Sequence, residues 1–142
     1  MEELLRITYP VAAADYVNAG KASTDIKRKL KQLGVTGDVL RRLGVASLEV
    51  ELNLAIHSLG GELTLLVFPD AAQLVSTDVG PGIPDVEMAM REGYSTANEE
   101  ARSLGWGAGM GLPNMKRNAD DFSITSEVGV GTTITMTFRL NQ

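Results

Sequence analysis

The sequence predicts an α+β fold, a two-layer α/β sandwich in which helices cover one face of a mixed, mostly antiparallel sheet. Two patterns lead to this prediction. Helical periodicity is concentrated early in the chain, and short alternating runs bounded by turn residues follow later. In addition, the length of 142 residues fits one domain over residues 1–142 with a single core.

The first predicted elements are a short strand and two helices. Residues 6–9 predict a strand that Pro10 closes, and apolar side chains at three- and four-residue steps predict a helix over about residues 11–33. Gly34 is positioned to end this helix, because glycine readily adopts the left-handed conformation that follows a last helical turn. Asp38 has the position and residue type of an N-cap for the second helix.

Residues 48–57 fit two different structures. Apolar and polar residues alternate along this stretch, which by period alone predicts a half-exposed strand. As a helix, the same stretch would place Glu49, Asn53 and His57 on one polar stripe, with apolar residues around the rest of the circumference. The local pattern favours the strand, and the motifs described below reverse this interpretation.

The later part of the chain is predicted to consist mainly of strands. The expected elements are strands over 62–68, 73–77, 122–126 and 132–140, helices over 85–91 and 112–118, and turns at 69–70 and 129–131. Residues 93–110 are rich in Gly, Ser, Ala and Asn and predict a long loop. Loops of this length in compact domains are usually functional lids or disordered segments.

Composition excludes several functional classes. The formal net charge of −5 argues against a nucleic-acid partner, which would favour a basic face. Because the chain has no cysteine, it has neither disulfides nor thiolate chemistry, which fits the cytosol. The N-terminus is acidic and unlike a signal peptide, and no apolar run has membrane-spanning length. We therefore expect a soluble, cytoplasmic protein with no nucleic-acid or membrane partner.

Two glycine-rich segments predict a nucleotide pocket. They read D-V-G-P-G-I over residues 78–83 and G-A-G-M-G-L over residues 107–112. The leading acid can accept a hydrogen bond from an exocyclic amine, and the glycines let the backbone approach a flat ring or phosphates. Phosphate would be held by backbone N–H groups where residues 109–112 open a helix. The sequence contains no dinucleotide-binding fingerprint, no Walker A loop and no protein-kinase-fold signature.

Together with the polar stripe, these segments resemble the GHKL ATPase superfamily, named for gyrase, heat-shock chaperones, histidine kinases and mismatch-repair proteins. The similar motifs are an N box at 49–57, glycine boxes at 78–82 and 107–112, and a closing glycine–threonine element at 129–132. A closer resemblance, to the anti-sigma-factor-type serine/threonine protein kinases and especially their stress-response switch-kinase branch, rests on residues 78–85, 93–96, 111–117 and 121–124.

The resemblance implies a Bergerat ATP-binding fold with the N box on a helix, which overrules the strand prediction for residues 48–57. It implies ATP and Mg²⁺ as cofactors. Asn53 would hold Mg²⁺ through its amide oxygen, with phosphates and water completing the octahedron. Glu49, one turn earlier on the same face, would be the catalytic general base that acts on the attacking hydroxyl.

The resemblance also assigns residues to the nucleotide itself. Asp78 would accept a hydrogen bond from the adenine amino group, with Thr132 beside it. The loop that passes close to the base would contain Gly80, Gly82 and Ile83. A lid over about residues 93–110 would close on the phosphates, and the contacts there would come from Gly107, Gly109, Gly111 and Leu112.

Two functions follow from the resemblance. The first is a serine/threonine protein kinase of a bacterial partner-switching system, which transfers the γ-phosphoryl group of ATP to a small antagonist protein, expected to be of the STAS type. The alternative is a non-catalytic switch that holds a sigma factor, phosphatase or antagonist according to whether ATP or ADP is bound. Glu49 distinguishes the two, since a pure binder needs no base. The sequence leaves both a monomer and a homodimer open.

Overall fold

The computed structural model describes residues 3–15, 17–80, 90 and 111–140. The elements are β1 (Leu5–Val11), α1 (Lys21–Gln32), α2 (Gly37–His57), β2 (Gly61–Val67), β3 (Ala71–Asp78), α3 (Gly111–Asn118), β4 (Asp121–Glu127) and β5 (Gly131–Arg139). Apart from Met90, the predicted helix over 85–91 and the predicted lid over 93–110 lie outside the described residues.

The five strands form one sheet in the order β1-β2-β3-β5-β4. All four neighbouring pairs are antiparallel, so the sheet predicted as mixed is wholly antiparallel among the described strands. The strands predicted from 62–68 onwards are confirmed to within two residues at each end. Along β3 and β5, side chains that face the helices are buried and alternate with more exposed ones. The predicted α+β sandwich is thus confirmed.

Helix α2 is the centre of the fold. It spans 21 residues and contacts α1, α3, β1, β2, β3 and β5. Residues 48–57 belong to this helix, so the strand expected from their alternation alone is wrong. Leu43, Val50 and Leu54 on α2 are fully buried in one cluster with sheet residues, which include Leu65, Leu74, Ile134, Met136 and Phe138. Each such side chain stabilises the fold by roughly 1.5–3 kcal/mol.

The N-terminal helix is shorter than the segment predicted over residues 11–33. Strand β1 continues through Pro10 to Val11, and α1 begins only at Lys21. Pro10 fits because β1 is an edge strand, where a missing N–H on the open side costs no sheet hydrogen bond. Gly20 precedes α1 with a left-handed φ of 100°, which ends the preceding loop and sets the start of the helix.

The boundary between α1 and α2 is partly as predicted. Gly34 follows the last turn of α1 with a φ of 88°, which confirms its predicted place. Asp38 is not the N-cap of α2, because Thr36 occupies that position. Asp38 instead lies in the first helical turn, where its carboxylate pairs at 2.9 Å with both Arg41 and Arg42. A negative charge there still favours the positive end of the helix dipole.

The sheet face away from the helices is rich in threonine. The strand register places Thr8, Thr64, Val75, Thr135 and Ser123 in one row across all five strands. These side chains are exposed or half-buried, and the hydroxyl oxygens of Thr8 and Thr64 lie 3.0 Å apart. This face therefore carries β-branched residues with little apolar surface.

Candidate functional site

The acid at the head of the first glycine segment is held at the end of a strand. Asp78 is the last residue of β3, and its Oδ1 atom accepts a hydrogen bond of 2.9 Å from the backbone N–H of Thr132 near the start of β5. Burial raises the pKa of the Asp78 carboxyl, although the hydrogen bond from Thr132 opposes this effect. Because Oδ1 is engaged, Oδ2 is the oxygen that would accept a hydrogen bond from a ligand.

Two glycines surround Asp78 so closely that neither position has room for a side chain. A Cβ atom at Gly131 would lie under 3.0 Å from the carbonyl oxygen of Asp78, and Gly131 also has a φ of 156°. A Cβ atom at Gly61 would lie 2.8 Å from the Cα of Asp78. Backbone contacts from β2 and β5 thus fix the position of this acid.

The loop after Asp78 is tied to two neighbouring segments by backbone hydrogen bonds. The N–H of Leu59 donates to the carbonyl of Val79 at 2.8 Å, and the N–H of Gly80 donates to the carbonyl of Val130 at 3.2 Å. A Cβ atom at Gly80 would lie 3.4 Å from the backbone of Ser58. The described part of the first glycine segment therefore packs against the end of α2 and the turn before β5.

The polar stripe of α2 runs towards the first turn of α3. Glu49 and Asn53 are both half-buried. The Oε1 atom of Glu49 accepts a hydrogen bond of 3.3 Å from the side-chain amide of Asn114. Its Oε2 atom lies 3.4 Å from the place where a Cβ of Gly111 would be. The structure therefore brings the N-box acid against Gly111, the last glycine of the second glycine segment.

The described site is elongated along α2. Glu49 lies beside α3, whereas Ser58, which follows the helix, lies beside Gly80 and Asp78. Nine residues of helix separate the two ends, which corresponds to roughly 13.5 Å at 1.5 Å per residue. An acceptor at one end and a carboxylate with a neighbouring amide at the other suit a ligand with a base at one end and phosphates at the other.

The remaining predicted site residues divide into two groups. Leu112 is 7% exposed and its side chain belongs to the core, so only its backbone could contact a ligand. The side chain of Thr132 is also buried, and its hydroxyl lies 2.8 Å from that of Ser126. Four predicted residues lie outside the described part of the chain: Gly82, Ile83, Gly107 and Gly109.

Glu51 is a charged residue that the site does not use. Its side chain is buried, with 3% exposed. Its two carboxylate oxygens accept hydrogen bonds from the backbone N–H groups of Ala22, at 3.1 Å, and Ser23, at 2.8 Å. These are first-turn N–H groups of α1, which have no partner within the helix. Glu51 therefore caps α1 from α2 and has a structural role.

Sequence reasoning missed two residues that shape the site. Asn114 donates a hydrogen bond to the carboxylate of Glu49. It lies within residues 111–117, which carry part of the family resemblance, and this was the one sequence feature that pointed to it. Gly61 was not among the predicted site residues, because its close approach to Asp78 depends on the strand register.

Comparison with known proteins gives the class of this protein. Residues 40–142 match the family described as histidine kinase-, DNA gyrase B- and HSP90-like ATPase. The match covers more than half of the chain, so the chain belongs to this family, and the superfamily predicted from the motifs is confirmed. Membership of an ATPase family implies that the chain binds ATP.

Individual relatives narrow the class further. The chain is 32% identical to serine/threonine-protein kinase RsbT of Bacillus subtilis, over 73% of this chain and 75% of that protein. It is 30% identical to anti-sigma F factor of Bacillus licheniformis, over 88% and 86%. Anti-sigma F factor of Geobacillus stearothermophilus is 28% identical, over 82% and 81%. These names agree with the predicted class, an anti-sigma-factor-type serine/threonine protein kinase.

Among the residues that the structure describes, no helix is both long and apolar enough to cross a membrane.

Proposed function

We propose that this protein is a serine/threonine kinase of a partner-switching regulatory system, which transfers the γ-phosphoryl group of ATP to a hydroxyl of a small antagonist protein. The proposal extends to its setting, the cytoplasm, and to the class of its substrate, a STAS-type protein. Support comes from the family match over residues 40–142 and from relatives named as a serine/threonine kinase and as anti-sigma factors.

The observation that carries the enzymatic proposal is the placement of Glu49. Its carboxylate is half-buried on α2, next to the first turn of α3, where the second glycine segment ends. In the proposed reaction, Glu49 accepts the proton of the substrate hydroxyl as that oxygen bonds to the γ-phosphorus and the bond to the ADP oxygen breaks. A protein that only binds nucleotide needs no carboxylate at this place.

The proposed roles in binding Mg²⁺, adenine and phosphate are assigned to residues on α2 and beside its two ends. The Asn53 side chain, one turn after Glu49, would supply an amide oxygen to Mg²⁺, which neutralises charge on the phosphates. At the far end, Oδ2 of Asp78 would accept from the adenine amino group, while the N–H of Thr132 holds Oδ1. Phosphate contacts are proposed for the backbone of Gly107, Gly109 and Gly111, which precede or begin α3.

The test is phosphotransfer from γ-labelled ATP into a cytosolic extract of the source organism, with wild type beside Glu49→Gln. Glutamine keeps the shape of the side chain but cannot take a proton. Wild type should label a small protein, and Glu49→Gln should not, although it still binds Mg-ATP. Glu3→Gln is the matched control: it is the same change at an exposed site that pairs with Arg6 outside the proposed pocket.

Other outcomes of this experiment are equally informative. Equal labelling by Glu49→Gln and wild type would refute the role of Glu49 as the base. No labelling by wild type, although Mg-ATP binds, would refute the kinase and leave the nucleotide-dependent switch as the function. Loss of Mg-ATP binding in Glu49→Gln would show that Glu49 acts on nucleotide affinity and would contradict the proposed division of roles.

A further inference from the structure

Glu49 is one member of a line of three polar side chains that crosses from α2 to α3. The side-chain amide nitrogen of Asn114 donates to Oε1 of Glu49 at 3.3 Å. The amide oxygen of the same residue accepts from Nη1 of Arg117 at 3.0 Å. A guanidinium only donates and an ionised carboxylate only accepts, so these two neighbours together fix which way the Asn114 amide points.

The backbone holds Asn114 in place for this contact. Its neighbours Leu112 and Met115 are buried in the core between α3 and α2. One turn later, the side-chain amide of Asn118 donates to the carbonyl of Asn114 at 2.7 Å. Asn114 is therefore fixed at its backbone by packing, and its amide is oriented by Arg117 before it reaches Glu49.

We propose that Asn114 is a positioning residue for Glu49: it holds Oε1 of the carboxylate so that Oε2 is presented to the substrate hydroxyl. The inference rests on the proposed role of Glu49 as general base. A carboxylate held by one oxygen loses rotational freedom before the substrate arrives, and a pre-oriented base reacts faster than one that must first be ordered. Asn114 itself touches no reacting atom.

The hydrogen bond between Asn114 and Glu49 also links the proposed base to the position of α3. Asn114 lies in the same short helix as Gly111, the last glycine of the second glycine segment. Any shift of the first turn of α3 therefore moves the amide relative to Glu49. The orientation of the Glu49 carboxylate thus depends on how α3 is placed against α2.

Asn114→Asp is the sharpest variant, because it changes one functional group and almost no volume. Aspartate can still accept the hydrogen bond from Arg117, so the contact within α3 is retained. It has no N–H to donate, and it places a second carboxylate next to Glu49. Lys116→Gln is the matched control, since it changes the net charge by the same amount at an exposed position on the same helix.

The rate of labelling of the small acceptor in a fixed amount of extract should be measured against the concentration of γ-labelled Mg-ATP. For Asn114→Asp we expect kcat to fall roughly 10- to 100-fold, as for other residues that orient a catalytic group, while KM for Mg-ATP changes less than about twofold. Asn114→Gln keeps the donor and should recover part of the rate. Lys116→Gln should remain near wild type.

A second measurement tests the contact without activity. In the ¹⁵N–¹H spectrum, the side-chain NH₂ resonances of Asn114 should shift in Glu49→Gln and stay unchanged in Glu3→Gln. Unchanged resonances in Glu49→Gln would show that the contact is not formed in solution and would overturn the inference.

The kinetic outcomes separate this inference from the proposed function. If wild type transfers phosphoryl and Asn114→Asp matches or exceeds its kcat, the positioning role is refuted while the kinase stands. A parallel loss of kcat, Mg-ATP affinity and folding stability in Asn114→Asp would show a purely structural role and also refute it. If wild type transfers nothing, the kinase itself is refuted, and the positioning role with it.

Discussion

The Oδ1 atom of Asp78 accepts a hydrogen bond of 2.9 Å from the N–H of Thr132, which joins the end of β3 to the start of β5 through one carboxylate oxygen. Gly61 and Gly131 approach Asp78 from the two neighbouring strands. The acceptor is therefore fixed before any ligand arrives.

Asp78→Asn should weaken Mg-ATP binding while leaving the protein folded. The asparagine oxygen can still accept from Thr132, which turns the amide nitrogen, a donor, towards the adenine amino group. Losing a hydrogen bond to a charged acceptor costs about 1.5–3 kcal/mol, or roughly 10- to 100-fold in affinity. Titration calorimetry measures the effect, and Asp70→Asn in the turn between β2 and β3 is the control. Unchanged affinity in Asp78→Asn would contradict its role.

Wild type and Asp78→Asn should differ in the pH dependence of their free energy of unfolding. The folded protein binds a proton at Asp78 more tightly than the unfolded chain does, because burial raises the pKa above the ordinary value of 3.8. The contribution of Asp78 to the free energy of unfolding therefore increases as the pH falls through this raised pKa, and is complete below 3.8. Urea unfolding from pH 7 to pH 3.5 should show wild type gaining stability relative to Asp78→Asn. The opposite trend would contradict the raised pKa.

Glu51→Gln should destabilise the protein without affecting nucleotide binding. The carboxylate accepts from the N–H groups of Ala22 and Ser23, and glutamine would turn an NH₂ group towards one of these donors. A buried donor left without an acceptor costs about 1–3 kcal/mol. Urea unfolding measures this loss, with Glu3→Gln as the exposed control. A loss of Mg-ATP affinity in folded Glu51→Gln would contradict the purely structural role.

Alanine substitutions at two glycines should have effects of opposite sign. Gly131→Ala places a Cβ atom against the carbonyl of Asp78 at a φ of 156°, so it should lose at least about 2 kcal/mol of stability. Gly44→Ala, inside α2, places its Cβ 3.8 Å from Cδ of Lys27, an ordinary contact. It should gain about 0.5–1 kcal/mol, because alanine is the better helix former. Denaturant unfolding measures both changes: at an unchanged m-value, the midpoint should fall for Gly131→Ala and rise for Gly44→Ala.

The sheet was predictable from sequence because its local signals are strong. Most ends of the four late strands lie next to proline or glycine turns, and the predicted limits of these strands agree with the structure to within two residues. Asp78 was correctly expected at the end of a strand. Its hydrogen bond to Thr132 joins residues 54 positions apart, so only the resemblance to a known family placed the two together.

Helix α2 shows why local pattern failed at residues 48–57. A helix with one buried stripe has a clear 3.6-residue period, but α2 contacts helices on two sides as well as the sheet. Val50 faces the core, Glu51 caps α1 and Glu49 faces α3, so three consecutive residues are directed to three different partners. The period of a single stripe is lost, and the accidental alternation resembles a strand.

Contacts between helices were the least predictable features. Glu51 meets α1 across 28 and 29 residues, and Glu49 meets Asn114 across 65. Nothing in the identity of a glutamate says whether it caps a distant helix, acts as a base or remains in solvent. That choice depends on the orientation of α2 against its neighbours, which is a property of the packed fold.

The threonine-rich face of the sheet has a practical consequence for engineering. Branching at Cβ stiffens the strands without requiring a covering layer, and hydroxyls keep the surface wettable. The row formed by Thr8, Thr64, Val75, Thr135 and Ser123 lies opposite the helices that carry Glu49 and Asn114. Affinity tags or fluorophores attached along that row would thus lie on the opposite side of the sheet from Glu49 and Asn114. We expect labelling there to disturb turnover least.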